Sequence, residues 1–279
     1  MIRFGVFFTA LIAAITVCAQ SADQASIAAA AIGGDGIWSH AVQSPRQRAA
    51  TEIRFLLPDD FDSTQRYPVL YILPVEAARE TRYGDGLVEV KRLGLHNRFQ
   101  LICVAPTFAD LPWYADHPTD DRLQQESYLL RDVVPYVNAN YPVTLGSQGR
   151  LLVGFSKSGW GAFSLLLRNP QVFGKAAAWD APLTMQAPDK YGMGPVFGTQ
   201  ANFERYQITR LLAERASELR AESRLFHFGF DNFRDHHEAV EALLTEQNIC
   251  HVYRDGPKRK HIWDSGWLPE AVEWLVEER

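Results

Sequence analysis

The chain is 279 residues long, and its 28 Lys and Arg against 33 Asp and Glu leave a formal net charge of −5. Phosphate backbones are gripped by an excess of basic side chains, so this balance speaks against a nucleic-acid binder. A hydrophobic share of 47% with 22% charged residues is that of a globular protein with ample core; it excludes a disordered chain, and the length suits one large domain or at most two.

Arg3 gives a short basic start, and the uncharged run from Phe4 to Val17 that follows is too short to cross a bilayer comfortably. The run ends at Val17-Cys18-Ala19, where the small Ala19 suits a cleavage point. Residues 1–19 therefore read as a secretory signal peptide, and the mature protein as secreted or periplasmic, with no stable membrane insertion once the signal is removed. A lipoprotein reading would place the lipid on Cys18, but the bulky Val17 before it counts against that. Residues 20–36 read as a small, Ala- and Gly-rich linker ahead of a single domain over 37–279.

Trp38 to Ser44 and Ala49 to Leu57 predict a hairpin. Pro68 to Leu73, Leu101 to Ala105, Leu151 to Phe155, Ala176 to Trp179, Leu225 to Phe230 and Cys250 to Tyr253 are nearly continuous apolar runs, the pattern of strands buried on both faces. Between them, Leu129, Leu130, Val133, Val134 and Val137 form one helical stripe, and Ala239, Val240, Leu243 and Leu244 another. Pro269 opens a last helix. Residues 181–215 show no clear strand and hold several Pro and Gly, so they read as an insertion over one end of the sheet, placed to shape a pocket. The fold class is α/β, a mostly parallel central sheet with helices on both faces.

Cys103 and Cys250 sit inside apolar runs and are expected to be two free core thiols. No Cys-x-x-Cys spacing or paired-His helix suggests a metal, and Asp235-His236-His237-Glu238 reads as a helix start. Neither a metal nor any other cofactor is implied.

The chemistry lies in Val153-Gly154-Phe155-Ser156-Lys157-Ser158-Gly159. A buried strand runs through Gly-x-Ser-x-small straight into a helix, the pattern of a nucleophile elbow, in which small neighbours let strand and helix pack closely. Ser156 is the candidate nucleophile. A serine needs a base, normally a His oriented by a carboxylate, and in such sheets the chain order is Ser, acid, His. His227 and His251 lie in strands and His236-His237 at a helix start, which leaves His261 in the polar loop before the last helix. Asp231 ends the Phe228-Gly229-Phe230 strand, where functional groups of open sheets gather, and is the preferred acid. Asp180 ends the preceding strand and competes with it; Asp235 and Asp255 are weaker candidates.

With these residues in place, the chain resembles an esterase family of the α/β-hydrolase superfamily, the group that takes in S-formylglutathione hydrolases, feruloyl and acetyl-xylan esterases and related mycolyltransferases. The likeness covers most of residues 50–277. Besides the elbow it rests on Tyr67 to Leu73, Pro112-Trp113-Tyr114-Ala115-Asp116, Asp132 to Val137, Leu167 to Gly174, and His261-Ile262-Trp263. The resemblance implies an α/β-hydrolase fold, a catalytic triad of Ser156, Asp231 and His261, and a substrate pocket near Trp113, Tyr114 and Trp160; as aromatics, Trp113 and Tyr114 could equally be core.

One departure matters. Where the family usually has His-Gly and further glycines after the third strand, this chain has Leu73-Pro74-Val75-Glu76. Lys157 N–H can serve as one oxyanion donor, and the second would be Val75 or Glu76 N–H, because Pro74 has none. The function expected is an exported serine esterase acting on a small-molecule or carbohydrate-linked ester. An acyltransferase with the same triad and a non-catalytic binding module of the same fold are the alternatives.

Overall fold

The computed structural model describes residues 23–229 and 232–277. The strands are β1 (Ser26–Ile27), β2 (Ala31–Ile32), β3 (Trp38–Gln43), β4 (Thr51–Leu56), β5 (Val69–Ile72), β6 (Ile102–Pro106), β7 (Arg150–Phe155), β8 (Lys175–Trp179), β9 (Leu225–Gly229) and β10 (His251–Asp255). They form one sheet in the order β1-β3-β4-β6-β5-β7-β8-β9-β10, with β2 also on β3. The first part is antiparallel, as the expected hairpin requires, and from β6 through β10 every pairing is parallel.

Parallel neighbours need long crossovers, and here helices supply most of them. They are α1 (Gly86–Arg92), α2 (Leu95–Arg98), α3 (Gln125–Tyr128), α4 (Val134–Asn140), α5 (Lys157–Arg168), α6 (Gly194–Phe197), α7 (Gln200–Glu204), α8 (Ile208–Arg215), α9 (Arg234–Glu246) and α10 (Leu268–Val276). The strands alternate strictly between two cores, because successive side chains leave a strand on opposite faces. Val69, Tyr71, Leu152, Ala176, Ala178 and Leu225 pack on the face covered by α4, α5, α8 and α9. Leu70, Ile72, Leu151, Val153, Phe155, Ala177, Trp179 and Phe226 pack on the other, under α1 and α10. Each such Leu- or Val-sized side chain contributes about 1.5–3 kcal/mol relative to exposure, so the double-sided burial makes the central strands the rigid frame of the molecule.

Several expectations are refined. Part of the supposed linker, residues 26–27 and 31–32, pairs with β3 and so belongs to the sheet edge; small residues are no obstacle to a short edge strand, whose pairing is made by backbone. The expected signal peptide, residues 1–19, lies outside the described residues. The helical stripe around Leu129 exists, but α3 and α4 are joined by a π-helical turn over Leu129–Val133. Pro135, in the first turn of α4, has no N–H for the ladder at that point. Cys103 is buried as expected, whereas Cys250 is exposed. Cys250 precedes β10, and its Sγ donates to Arg220 O at 2.8 Å, so the apolar run there begins one residue later than its composition suggests.

Residues 181–215 contain no strand, only α6, α7 and α8. They are not a loose flap: Phe197, Phe203, Tyr206, Ile208 and Leu212 are buried in the core shared with α5. Anchored in this way, the segment holds Pro182 and Tyr191 over the end of the sheet at which β7 and β8 finish.

Candidate active site

Strand β7 ends at Phe155 and α5 begins at Lys157, so Ser156 alone makes the corner. Its backbone sits at φ 53°, ψ −130°, a conformation that a side chain with a Cβ adopts only under constraint. The constraints are visible. Ser156 N–H is taken by Trp179 O at 3.0 Å and Asp180 O at 3.2 Å. A Cβ on Gly154 would lie 2.3 Å from Ser158 O, so only glycine allows the strand to pass that close to the helix. Ser158, where glycine is the usual residue, closes the corner with its hydroxyl, which donates to Phe155 O at 2.9 Å and accepts from Phe155 N at 3.1 Å. Gly159 carries the close approach instead, since a Cβ there would meet the Ala181 Cβ at 2.8 Å.

His261 lies in the loop between β10 and α10, as expected. Its ring is set among aromatic rings: Phe155 and Tyr83 meet it edge-on at 5.0 and 5.8 Å, and Trp179 and Phe233 lie near 6 Å. Its Nδ1 faces Asp180 Oδ2 at 2.6 Å. Asp180 is fully buried and directly follows β8 with φ 41°. Asn232 Nδ2 donates to Oδ2 and Phe233 N–H to Oδ1, each at 3.0 Å. Among the described residues the carboxylate on the His261 imidazole is therefore Asp180, the competitor that the sequence left open; the preferred acid, Asp231, lies outside the described residues.

Ser156 and His261 line one cavity of about 300 Å³, together with Tyr83, Lys157, Pro182, Tyr191, Asn232 and Phe233. The three aromatics expected at the pocket take another place. Trp113, Tyr114 and Trp160 are fully buried, and none of them lines this cavity. Trp113 meets Trp160 edge-on at 5.6 Å, and the Tyr114 ring lies where a Cβ on Gly161 would have to go, at 2.0 Å. These rings fill the space beside α5 that its small residues leave open. The aromatic walls of the cavity come instead from Tyr83, Tyr191 and Phe233. Of these, Tyr191 lies in the 181–215 segment expected to shape a pocket and Phe233 just after the Phe228–Asp231 run, whereas no sequence signal pointed to Tyr83.

Lys157 is the first residue of α5, so its N–H has no partner one turn earlier in the helix and points out of the helix N-terminus, where partial positive charge collects. Among the described residues, Val75 N–H and Glu76 N–H enter no hydrogen bond, but the two residues line a neighbouring cavity, with Arg54, Tyr83 and Thr107, and not the one lined by Ser156 and Lys157. The Pro74 carbonyl is held by the Tyr114 hydroxyl; burial pushes the Tyr114 pKa well up, so the hydroxyl stays a donor. The Glu76 carboxylate is drawn to the Lys157 ammonium at 3.4 Å, both side chains being mostly covered. An anion that would oppose an oxyanion is thereby paired with a cation.

Among the described residues one group brings together metal-ligand atoms, those of His227, Glu241 and His251 within 4.8 Å of one another. None of the three lines the Ser156 cavity. No spacing in the sequence signals the group, because it assembles from β9, α9 and β10. No described helix is long and apolar enough to cross a membrane.

Comparison with known proteins agrees with this architecture. Residues 44–248, well over half of the chain, match the family described as Putative esterase. Esterase Rv1288 of Mycobacterium tuberculosis is 24% identical over 161 residues, which is 54% of this chain and 33% of that protein; the chain spans about a third of the length of the curated relatives it matches. Among solved structures, the fluorophosphonate-binding serine hydrolase F of Staphylococcus aureus, substrate bound, superposes with a TM-score of 0.71 at 18% identity, covering 87% of this chain and 98% of that one. The S-formylglutathione hydrolase of the same organism gives 0.69 at 17% identity, over 91% and 100% of the two chains. A ferulic acid esterase of Anaeromyces mucronatus, in complex with ferulic acid, gives 0.57 at 16% identity over 90% of each. A sheet of this order, with the strained Ser156 corner after β7, is the α/β-hydrolase fold, and the chain belongs to this esterase family.

Proposed function

We propose that the protein is an exported serine hydrolase that cleaves a carboxylic ester through an acyl-enzyme on Ser156. The observation that carries this reading is the strained Ser156 at the N-terminus of α5, facing the same cavity as an imidazole whose Nδ1 is bound by a buried carboxylate. With Nδ1–H given to Asp180, His261 keeps Nε2 to take the Ser156 proton as Oγ attacks the ester carbonyl. Lys157 N–H and a Val75 or Glu76 N–H would receive the oxyanion, a contribution of about 3 kcal/mol per donor. His261 then returns the proton to the leaving alcohol, and water repeats the cycle on the acyl-enzyme.

A cavity of about 300 Å³ stands at the small end of ligand sites and, with Tyr83, Tyr191 and Phe233 in its wall, suits a short or flat acyl group. The ferulic acid bound by the Anaeromyces enzyme is a group of that shape. Export rests on the character of residues 1–19 and is tested by N-terminal sequencing of the protein from the medium or periplasm.

The central test is labelling by a fluorophosphonate together with turnover of short-chain nitrophenyl esters and methyl ferulate. The wild type is expected to label and turn over, and Ser156→Ala to lose both, with kcat down by about 10³-fold or more. A folded wild type that neither labels nor hydrolyses any ester would favour the non-catalytic binding module.

A further inference from the structure

The peptide joining Asp180 to Ala181 is anchored at both ends. Its carbonyl, Asp180 O, accepts from Ser156 N–H at 3.2 Å, and its amide, Ala181 N–H, donates to His237 Nε2 at 2.9 Å. Rotation of this one peptide would move the backbone of the nucleophile and the carboxylate on His261 together.

His237 is fully buried. Burial holds its pKa well below the ordinary imidazole value, so the ring is neutral. Because Nε2 accepts from Ala181, the ring proton is on Nδ1. That atom lies 3.1 Å from Nδ1 of His227, which must accept, and so the proton of His227 is on Nε2. His227 Nε2 is buried without a hydrogen-bond partner and faces Glu241 Oε2 at 3.6 Å. His251 donates from Nδ1 to Ile249 O at 2.7 Å and meets the same Glu241 oxygen through Nε2 at 2.6 Å. The two imidazoles, His227 first, hold the Glu241 carboxyl down at about 2, so it remains an anion.

His227, Glu241 and His251 are ligand types for a divalent cation, but the proton count decides against one: the His227 atom that would ligate already carries a proton. We propose that His237 is a positioning residue for the active site, with its acceptor nitrogen turned to Ala181 because its ring proton is given to His227, whose Nε2 in turn faces the half-buried Glu241 carboxylate. The proposal rests on the esterase reading for its catalytic consequence, but the proton order stands on two hydrogen bonds, His237 to His227 and Ala181 to His237, with Glu241 facing His227 Nε2 at 3.6 Å.

The test has two arms on the full chain. Imidazole ¹⁵N spectra of the wild type are expected to show His237 protonated on Nδ1 and bare on Nε2, with His227 protonated on Nε2. A His237 protonated on Nε2 would overturn the chain, and so would loss of the His227 Nε2–H signal on adding one equivalent of zinc chloride, which would mark a metal site. In the second arm, kcat and KM for a nitrophenyl ester are measured per fluorophosphonate-titrated site. His237→Leu is expected to lower kcat about ten-fold with KM changed less than about two-fold, the loss of roughly one hydrogen bond's worth of orientation. His237→Gln, whose amide oxygen reaches the place of Nε2, restores kcat to within about three-fold. Equal losses in both variants, or a lower melting temperature with kcat intact, would make the role merely structural. A wild type with the expected tautomers but no label and no turnover would remove the esterase reading and the catalytic consequence while leaving the proton chain standing.

Discussion

On one side of Ser156 the Asp180 carboxylate is fully buried and receives Asn232, the Phe233 N–H and His261. On the other side, the Pro74–Glu76 segment depends on the Tyr114 hydroxyl at the Pro74 carbonyl and on the Glu76–Lys157 ion pair. The Asp180 end is saturated with hydrogen bonds, while the Pro74–Glu76 end keeps the Val75 and Glu76 N–H groups unspent. In the proposed mechanism the difference follows from what each would do. A carboxylate that orients an imidazole needs partners in the resting protein, whereas donors for an oxyanion are useful only if no other acceptor already holds them.

The largest expected effect comes from the saturated end. Asp180→Asn keeps the volume but presents an amide to Nδ1, so His261 is held in the wrong tautomer. We expect kcat to fall by about 10³- to 10⁴-fold with KM little changed; a loss below ten-fold would move the acid role elsewhere. Next is the opposite end: Tyr114→Phe removes the donor to Pro74 O and leaves that carbonyl without its partner. Steady-state kinetics should show kcat reduced about ten-fold, in line with one displaced oxyanion donor, and unchanged kcat would mean that the segment holds its place without this bond.

A smaller effect, and of opposite sign, is expected for Glu76→Gln. Neutralising the carboxylate frees the Lys157 ammonium beside the site where negative charge develops. Initial rates at low salt should rise about two-fold, with the gain fading as salt is added. A ten-fold fall would show instead that the carboxylate is needed.

The smallest effect is a pH dependence of stability that comes from the cluster behind the acid. Burial lowers the pKa of His227, His236 and His237 in the folded protein. The unfolded chain takes up protons at these positions from about pH 6.5 downward while the folded one resists, so the stability they support is full above that pH and declines as pH falls below it. Melting temperatures should drop between pH 7.5 and 5.5, and less so in His236→Gln, in which one of the three groups no longer titrates; a flat profile in the wild type would contradict the burial argument.

The strands and the strand-to-helix corner at Ser156 were legible because their signals are local. A run such as Leu151 to Phe155 has one stable location, between two other strands, and Gly154 before a serine announces a close backbone approach. His261 was reached by elimination, since the remaining downstream histidines fall inside regular elements. The aromatics were less legible: the sequence does not say on which side of α5 a tryptophan packs, and Trp113, Tyr114 and Trp160 went to the core while Tyr191, more than half exposed, went to the cavity.

Chain order and hydrophobic pattern by themselves determined the α/β class, the corner at Ser156 and the loop origin of its imidazole, because each depends on neighbours a few residues away. Only the tertiary structure decided that Asp180 meets His261, that Glu76 is paired with Lys157, and that His237 holds the peptide behind the acid. Asp180 and Asp231 follow adjacent parallel strands and look equivalent along the chain. Which carboxylate meets an imidazole from a distant loop is set by strand order and loop path, quantities that exist only once the sheet has closed its pairings.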